Sequence, residues 1–381
     1  MSERKPSKSR MLVVSSCGTS LLLNNVYQSR CGSGDELRRL LQRHANSKET
    51  EIPAEDKARI DCRINECRTA LLQAGPVEAR QLSAELNGLL GLYKDLRPRR
   101  QDLLFFLSTD TYLGEAVSRI IAEWLRQFEI SPQLIAIENL ATNSVETFRW
   151  GVQELTSWCQ KTLPGYRKDY HIVFNVTGGF KGVQGILTTL GHVYADEIVY
   201  IFEGSDALLR IPHLPVRWEM KEILMEHITV FRRLANRQRV PLAELEGVPT
   251  SLFEVEYDGM AVLSILGSIL WEQHKQELYS VRLLPPPSDR IRYSRRFERD
   301  VEKVTDSSLL YVLNEQIDDF HRYLIENRTY NPSSLNVHEV HEPPVPGVTH
   351  EFYAWSHRDA ERVYFHFDGN GAVLDHLGPH L

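Results

Sequence analysis

Short apolar runs alternate with longer amphipathic stretches through the first two hundred residues, and no other feature constrains the fold of this chain as strongly. Each run has the length of a buried strand, and most are followed by apolar residues at helical spacing. The predicted strands are residues 11–17, 103–109, 134–138, 171–177 and 197–203. This alternation is typical of an open, mostly parallel α/β sheet, which we predict over residues 1–215.

Three further regions interrupt or follow this pattern. Residues 35–97 have apolar positions at helical spacing, which predicts three inserted helices. Residues 216–289 predict a purely helical connector that closes with a proline-stiffened linker, LLPPPSDR, at 283–290. Over residues 290–381 one strand and two helices precede four short strands, which predicts a small α+β domain.

Composition and charge exclude several classes of protein. With 44 basic and 51 acidic residues the formal net charge is −7, so bulk charge cannot hold nucleic acid to this chain. No apolar run approaches the roughly 18 residues of a membrane span, and the run near the N-terminus is too short for a signal peptide. We therefore predict a cytoplasmic protein without membrane contact.

The cysteines predict reduced thiols. There are five, an odd number, and they contain no CxxC pair. This pattern argues against both a disulfide framework and a structural zinc site. The five are Cys17, Cys31, Cys62, Cys67 and Cys159.

Small polar residues and glycines follow several predicted strands. In the segment from Asn175 to Gly182, a strand ends in two glycines and a helix begins, so backbone N–H groups, the positive helix end and Lys181 converge. This arrangement favours a bound phosphate, although its spacing differs from the P-loop motif GxxxxGK[ST]. A tight turn that needs glycine but binds no ligand is an equal alternative. Ligands of open α/β sheets bind at the carboxyl ends of the strands. The candidate ligand-binding residues are Ser16, Gly18, Thr19, Ser20, Thr109, Asn175, Thr177, Gly178, Gly179 and Lys181.

Four segments in order resemble CARF domains, the CRISPR-associated Rossmann folds that sense cyclic oligoadenylates. They are SSCGTSLL at 15–22, SAELNGLL at 83–90, LSTDTYLGEAV at 107–117 and NVTGGFKG at 175–182. The resemblance spans about residues 10–215 and implies a Rossmann-like sensor that forms a homodimer and binds cyclic tetra-adenylate across the two-fold axis. Thr19, Ser20, Thr177 and Lys181 are the positions that carry over. Some members of the family also cut their own ligand, a secondary ring-nuclease activity for which Ser16, Thr19 and Lys181 are the candidates.

The C-terminal segment ERVYFHFDGNGAVLDHLGPHL, which follows a strand, two helices and further strands, resembles the RelE superfamily of toxin ribonucleases. These enzymes cleave mRNA in the ribosomal A site without a metal. The resemblance covers about residues 290–381, and it places Arg362 at the family's arginine and Gly378-Pro379-His380 at the end of the last strand. Sensor and effector together resemble the CRISPR-associated CARF/RelE mRNA interferases.

RNA cleavage without a metal needs a base, an acid and a cation that stabilises the phosphorane. Eight of the fourteen histidines lie after residue 320, and histidine transfers protons near neutral pH. We assign Arg362 to the phosphorane and His380 to proton transfer, with His338 or His357 as its partner. No cofactor and no metal is expected, because no HxxxH or HxxEH pattern lies on a helix. For most of these histidines the alternative is an exposed strand residue.

The predicted nuclease domain is acidic. Residues 291–381 contain nine basic and fifteen acidic residues, so charge alone cannot hold RNA there. Members of the resembling family usually present basic residues on the second strand of the meander, whereas this chain has Tyr353, Trp355 and His357 there. Either Tyr353, Trp355 and Tyr364 stack on RNA bases, or the ribosome delivers the mRNA, which we favour. For Trp355 a place in the core is an equal alternative.

The sequence thus predicts a ligand-gated endoribonuclease, an ancillary effector of a type III CRISPR system. Its predicted partners are a second copy of the chain, cyclic tetra-adenylate, the ribosome and mRNA, and the connector would carry the signal. An alternative is a ligand-controlled transcription factor with a DNA-binding connector, although the segment MAVLSILGSILWEQHKQEL is apolar where a recognition helix should be basic. A dinucleotide-dependent enzyme is disfavoured because GxGxxG is absent after the first strand.

Overall fold

The computed structural model describes most of the chain, in two compact units, Met1–Val216 and Arg217–Leu381. The described residues are 10–93, 101–140, 144–179, 181–202, 205, 207–212, 220–341, 344–356 and 360–379. Residues 216–289, predicted as a separate connector, belong almost entirely to the second unit.

The first unit is built on a six-stranded sheet. Its strands are β1 (Arg10–Ser16), β2 (Leu103–Thr109), β3 (Gln133–Ile137), β4 (Tyr170–Asn175), β5 (Glu197–Ile201) and β6 (Leu208–Pro212). The order is β3-β2-β1-β4-β5-β6, and every neighbouring pair is parallel except β5 and β6. The direction of strand addition reverses between β1 and β4, which opens a crevice at their carboxyl ends.

Helices cover both faces of this sheet. They are α1 (Ser20–Leu23), α2 (Gly34–Arg43), α3 (Ala54–Gln73), α4 (Pro76–Leu82), α5 (Ala84–Leu92), α6 (Tyr112–Arg126), α7 (Val145–Thr162) and α8 (Lys181–Tyr194). Val13 and Phe106 pack in one core with the helices that precede α7. On the other face Phe105 meets Trp158 of α7 edge to face, with ring centroids 5.5 Å apart. Alternate strand residues therefore serve two cores, which is why these strands read as continuous apolar runs.

The last predicted helix of the insertion is broken into α4 and α5. Ser83 has an extended backbone (φ −138°, ψ 128°), so α4 ends before it. Its hydroxyl accepts a hydrogen bond from the N–H of Leu86, which caps α5. The break brings the first turn of α5 to the crevice between β1 and β4.

The expectation of five reduced thiols is wrong for two of them. Cys31, in the segment before α2, is joined by a disulfide to Cys62 of α3, with their Cα atoms 5.8 Å apart. Cys17, Cys67 and Cys159 are free and buried. An odd count excludes only complete pairing, and the pair comes together because two elements distant in sequence pack side by side.

The second unit contains two sheets and five helices among its described residues. Its helices are α9 (Lys221–Glu226), α10 (Ile228–Ala235), α11 (Ile265–Tyr279), α12 (Arg295–Val301) and α13 (Ser307–Ile325). Its strands are β7 (Val240–Pro241), β8 (Phe253–Val255), β9 (Met260–Leu263), β10 (Ile291–Tyr293), β11 (His338–Glu339), β12 (His350–Trp355), β13 (Glu361–Asp368) and β14 (Gly371–Pro379). The smaller sheet has the order β7-β9-β8 and the larger β10-β14-β13-β12-β11.

Two expectations for residues 216–289 are corrected. The region is not purely helical, because Met260–Leu263 is the central strand of the smaller sheet and the helix begins only after Ser264, whose hydroxyl caps it. The segment predicted as a linker is packed: Leu284 is fully buried, its N–H donates to Asn314 Oδ1 (3.0 Å), and Arg232 donates to the carbonyl of Pro285. Proline here stiffens a path inside a unit and marks no boundary between units.

A buried histidine in α13 links three segments of this unit. His321 is 2% exposed, with Nδ1 2.9 Å from Gln238 Nε2 and Nε2 2.7 Å from Ser288 Oγ. Burial, together with the nearby arginines Arg233 and Arg232, lowers the pKa of His321 from 6.5 to about 3. The unfolded chain binds this proton near pH 6.5 and the folded chain only near pH 3, so the contribution to stability is complete above pH 6.5 and is lost as the pH falls towards 3.

We expect this titration to lower the stability of the second unit in mild acid. Between pH 6.5 and 4 the free energy of unfolding should fall by up to about 1.4 kcal/mol per pH unit from this group. Urea unfolding of the wild type and of H321Q, followed across that range, measures it, since glutamine does not titrate. Parallel stability curves for the two proteins would contradict the assignment.

Candidate functional site

The crevice of the first unit is formed by two turns that touch backbone to backbone. A Cβ on Gly18 would lie 2.7 Å from the Cα of Gly179, and Gly179 itself has a φ of +97°. Ser16 Oγ donates to the carbonyl of Gly178 at 2.5 Å. Glycine is therefore required on both sides, since any side chain would separate the turns that follow β1 and β4.

A buried carboxylate holds these turns together. Glu85, in the first turn of α5, is fully buried and accepts hydrogen bonds from the N–H of Gly18 (2.9 Å) and the hydroxyls of Ser20 (2.6 Å) and Ser83 (2.7 Å). A Cβ on Gly178 would overlap its Oε1 atom. Sequence reasoning missed Glu85, although a serine followed by an acidic residue in the first turn of a predicted helix was a usable signal.

The side-chain amide of Asn175 holds the same turns through hydrogen bonds. Its Nδ2 donates to Ser15 Oγ at 2.9 Å and to the carbonyl of Glu85 at 3.3 Å, while its Oδ1 accepts from Thr177 Oγ1 at 2.7 Å. Thr177 Oγ1 in turn accepts from the N–H of Ile201 at 3.2 Å. Both side chains are buried, so they fix β1, α5, β4 and β5 relative to one another.

The predicted ligand-binding residues divide into two groups. Six are buried and hydrogen-bonded within the protein, where they support the crevice, and their contact with a ligand stays a prediction: Ser16, Gly18, Thr109, Asn175, Thr177 and Gly178. Thr109 is bonded to Thr111 Oγ1 (2.8 Å). Thr19, Ser20 and Gly179 are half-buried, and Lys181 is exposed at the first residue of α8.

Cys17 lies between Ser16 and Gly18 in the sequence and is no nucleophile. Burial raises the pKa of its thiol well above the usual range, and the charge of Glu85 adds to the shift. The thiol therefore stays protonated.

Removing the Glu85 carboxylate should destabilise the first unit. In E85A the buried N–H of Gly18, the buried hydroxyl of Ser83 and the half-buried hydroxyl of Ser20 lose their acceptor. Each buried donor costs about 1–3 kcal/mol, so we expect a loss of about 3 kcal/mol. For a unit of 216 residues that lowers the melting temperature by roughly 6–12 °C. The matched control is E78A on the exposed side of α4, which should change stability by less than about 0.5 kcal/mol. Equal melting curves for the two variants would contradict this role.

The second candidate site lies on one face of the larger sheet. Residues directly opposite each other in antiparallel strands share a face. The register therefore places His338, Glu351, Tyr364 and His376 in one row across β11 to β14, and Tyr353, Arg362 and Gly378 in the next. The opposite face carries Phe352, Val363 and Phe365, which pack in the core with α13. The face away from that core is thus the polar face of the larger sheet.

Arg362 is the central cation of the polar face. Its guanidinium lies over the ring of Tyr353, 3.9 Å from the centroid, and its Nε is 3.7 Å from Glu351 Oε1. Arg362 and Glu351 are 8% and 4% exposed. The buried Nε–H has no hydrogen-bond partner among the described residues. A buried donor without an acceptor is costly and is suited to an incoming anion.

Glu351 joins Arg362 to a histidine. His338 Nε2 is 3.0 Å from Glu351 Oε1, and His338 Nδ1 is 2.7 Å from the carbonyl of Asn336. Both ring nitrogens face acceptors, so both bonds form when both nitrogens carry hydrogen. Sequence reasoning named Arg362 and His338 but missed Glu351, because its closeness to both depends on the register of three strands.

The other predicted nuclease residues have different outcomes. His357 and His380 lie outside the described residues. Trp355 is 5% exposed within the core and Tyr364 is 1% exposed with its hydroxyl donating to the carbonyl of Pro379 (2.7 Å), so burial removes both from any base-stacking surface. Tyr353 is half-buried, and one face of its ring is covered by Arg362.

Metal ligands and membrane-spanning helices concern the whole of the described structure. In the part of the chain that the structure describes, no group of three or more histidine, cysteine or acidic side chains could hold a metal ion. Over the same residues, no helix combines the length and the apolar character needed to cross a bilayer.

The fold and the crevice define a class, an α/β protein of doubly wound topology with a glycine-lined crevice at the switch point of its sheet. Residues 80–214 match the model of a family described as CRISPR-associated protein (Cas_APE2256). The match lies within the first unit and includes Glu85, the turn after β4 and Lys181. It supports a CRISPR-associated protein, in agreement with that part of the sequence resemblance.

Proposed function

We propose that this protein is an ancillary effector of a type III CRISPR system in which cyclic tetra-adenylate, bound by a homodimer of the first unit, activates an mRNA endonuclease in the second. The observation that carries the proposal is the buried Nε–H of Arg362, which lacks a hydrogen-bond partner among the described residues and lies beside Glu351 and Tyr353. A phosphate oxygen of RNA is the acceptor that would satisfy it.

The proposed sensor function rests on the side chains at the crevice that could contact a phosphate of the ligand. Glu85 occupies the N–H of Gly18 and the hydroxyl of Ser20, so among the predicted ligand-binding residues Thr19 and Lys181 still offer polar side chains. Lys181 adds a full positive charge to the N-terminus of α8, which favours phosphate. A cyclic oligonucleotide on the two-fold axis of a dimer would meet this lysine once from each subunit.

The nuclease half needs no metal. The RNA 2′-oxygen attacks the adjacent phosphorus, the bond from phosphorus to the 5′-oxygen breaks, and the products are a 2′,3′-cyclic phosphate and a 5′-hydroxyl. Arg362 stabilises the negative phosphorane, and Glu351 orients both Arg362 and His338. His338 supplies the proton for the leaving 5′-oxygen, with His380 as the second candidate for that step.

Delivery of RNA by the ribosome fits the charge of this unit. The net charge over residues 291–381 is −6, from nine basic and fifteen acidic residues, which repels free RNA. The burial of Trp355 and Tyr364 leaves little aromatic surface for stacking. The ribosome would therefore bring the message to Arg362.

Four parallel reactions of the full chain test the proposal. mRNA is incubated with or without cyclic tetra-adenylate, each with or without translating ribosomes, and cut ends are mapped. Cleavage that requires both additions and leaves 5′-hydroxyl ends is expected. Ligand-dependent binding to DNA without RNA cleavage would instead favour the transcription factor, and no response to any cyclic oligoadenylate would overturn the sensor.

A further inference from the structure

The polar face carries a second imidazole and carboxylate pair on the other side of Arg362 from Glu351. His376 Nδ1 is 2.5 Å from Asp300 Oδ2, and the two side chains are only 16% and 11% exposed. His376 lies opposite Tyr364, two residues along the strands from the Arg362 row and on the same face. Arg362 is therefore flanked by the His338 pair towards β11 and by the His376 pair on β14.

A β-bulge places the imidazole of His376. Tyr364 pairs with His376 and the next residue, Phe365, pairs with Leu374, so Asp375 is an extra residue in β14. Bulges re-aim side chains and are frequent beside active sites. Here the bulge leaves the His376 ring nearly parallel to the ring of Tyr364, at 18° and 5.8 Å between centroids.

A separate set of contacts places Asp300. The N–H and the hydroxyl of Ser294 donate to the carbonyls of Leu374 and Asp375, each at 2.9 Å, and the same hydroxyl caps α12 by accepting from the N–H of Phe297. This fixes α12, and with it Asp300, against β14. Burial alone would raise the pKa of Asp300, but hydrogen bonds from Lys303 and His376 hold it below the usual value, so the carboxylate is charged.

The second nitrogen of His376 points towards the Arg362 row. A Cβ on Gly378 would lie 2.6 Å from His376 Nε2, and Gly378 is the residue directly opposite Arg362. A side chain at this position would displace the ring from where it lies. Among the described residues Nε2 has no hydrogen-bond partner, whereas the two nitrogens of His338 are both occupied.

We propose that His376, oriented by Asp300, is the general base of the RNA-cleaving site. This inference rests on the proposed nuclease function. Asp300 accepts Nδ1–H and so leaves the lone pair on Nε2, which takes the proton of the 2′-hydroxyl as the 2′-oxygen attacks phosphorus. The 5′-oxygen leaves with a proton from His338, and Asp300 stabilises the imidazolium that forms on His376. His376 is the catalytic residue and Asp300 its positioning residue.

The kinetic test compares three variants of the full, ligand-activated chain. H376A should lower the cleavage rate about 10²-fold, and added imidazole should restore part of it. D300N should shift the low-pH limb of the rate profile, because an amide stabilises the imidazolium less than a carboxylate. H171Q is the matched control: His171 Nε2 also lies near a carboxylate, Glu197 Oε2 at 3.5 Å, but this pair is in the first unit, and cleavage should be unchanged.

Failure of this inference is distinguishable from failure of the proposed function. If the wild type cleaves RNA while H376A keeps its rate and D300N its pH profile, His376 is only structural and the nuclease stands. If the wild type never cleaves, the function fails. Nitrogen NMR of His376 gives a readout that needs no activity: we expect the tautomer with hydrogen on Nδ1, and hydrogen on Nε2 in the neutral ring would overturn the inference.

Discussion

Replacing Arg362 should abolish nearly all RNA cleavage while leaving the sensor intact. In R362A the phosphorane loses the guanidinium that stabilises it, and removal of such a preorganised donor lowers rates about 10²- to 10³-fold. R362K keeps the charge but loses the planar fork that lies on Tyr353, so it should recover only a small part of the rate. The measurement is single-turnover cleavage at saturating cyclic tetra-adenylate.

The control for this prediction is another arginine of the same sheet. Arg292 in β10 is exposed and paired with Asp368, so R292A should cleave at the wild-type rate. Ligand affinity, measured separately by calorimetry, should be equal for the wild type, R292A and R362A. Wild-type cleavage by R362A would remove the nuclease assignment from this face of the sheet.

Features of the fold that depend on neighbouring residues could be predicted from the sequence, and features that depend on residues distant in sequence could not. Strand β2 occurs at the predicted residues, and β1 and β4 lie within two residues of their predicted bounds, because each is decided by its own apolar run. Parallel topology then implies that the turns after β1 and β4 meet at one edge, and they do. The carboxylate that joins them was not predictable in the same way, because Glu85 arrives from an inserted helix whose packing no local pattern encodes.

The second unit shows the same limit more clearly. Alternation along β13 places Arg362 and Tyr364 on one face and Val363 on the other, and this much is visible in ERVYF. Which residues stand beside Arg362 depends on the registers of β12 and β14 and on a bulge at Asp375. Glu351 and the Asp300 pair were missed for this reason, and the packed proline segment was misread because its partners lie in α10 and α13.

Lys181 separates the sensor from the nuclease. In K181A the concentration of cyclic tetra-adenylate for half-maximal cleavage should rise about 10³-fold, because each charged hydrogen bond to phosphate contributes roughly tenfold to a hundredfold in affinity and a two-fold ring loses two of them. The maximal rate at saturating ligand should stay at the wild-type value, since the Arg362 row is unchanged.

K168A is the matched control for Lys181, because Lys168 is also exposed but precedes β4 and so lies at the opposite edge of the sheet from the crevice. If Lys181 acted only through the net charge of the protein, K181A and K168A would raise the half-maximal ligand concentration equally. If Lys181 contacts a phosphate, K181A alone raises it. Titration of cleavage against ligand concentration, with direct binding measured in parallel, distinguishes the two. Equal half-maximal concentrations for K181A, K168A and the wild type would place the ligand elsewhere than at the N-terminus of α8.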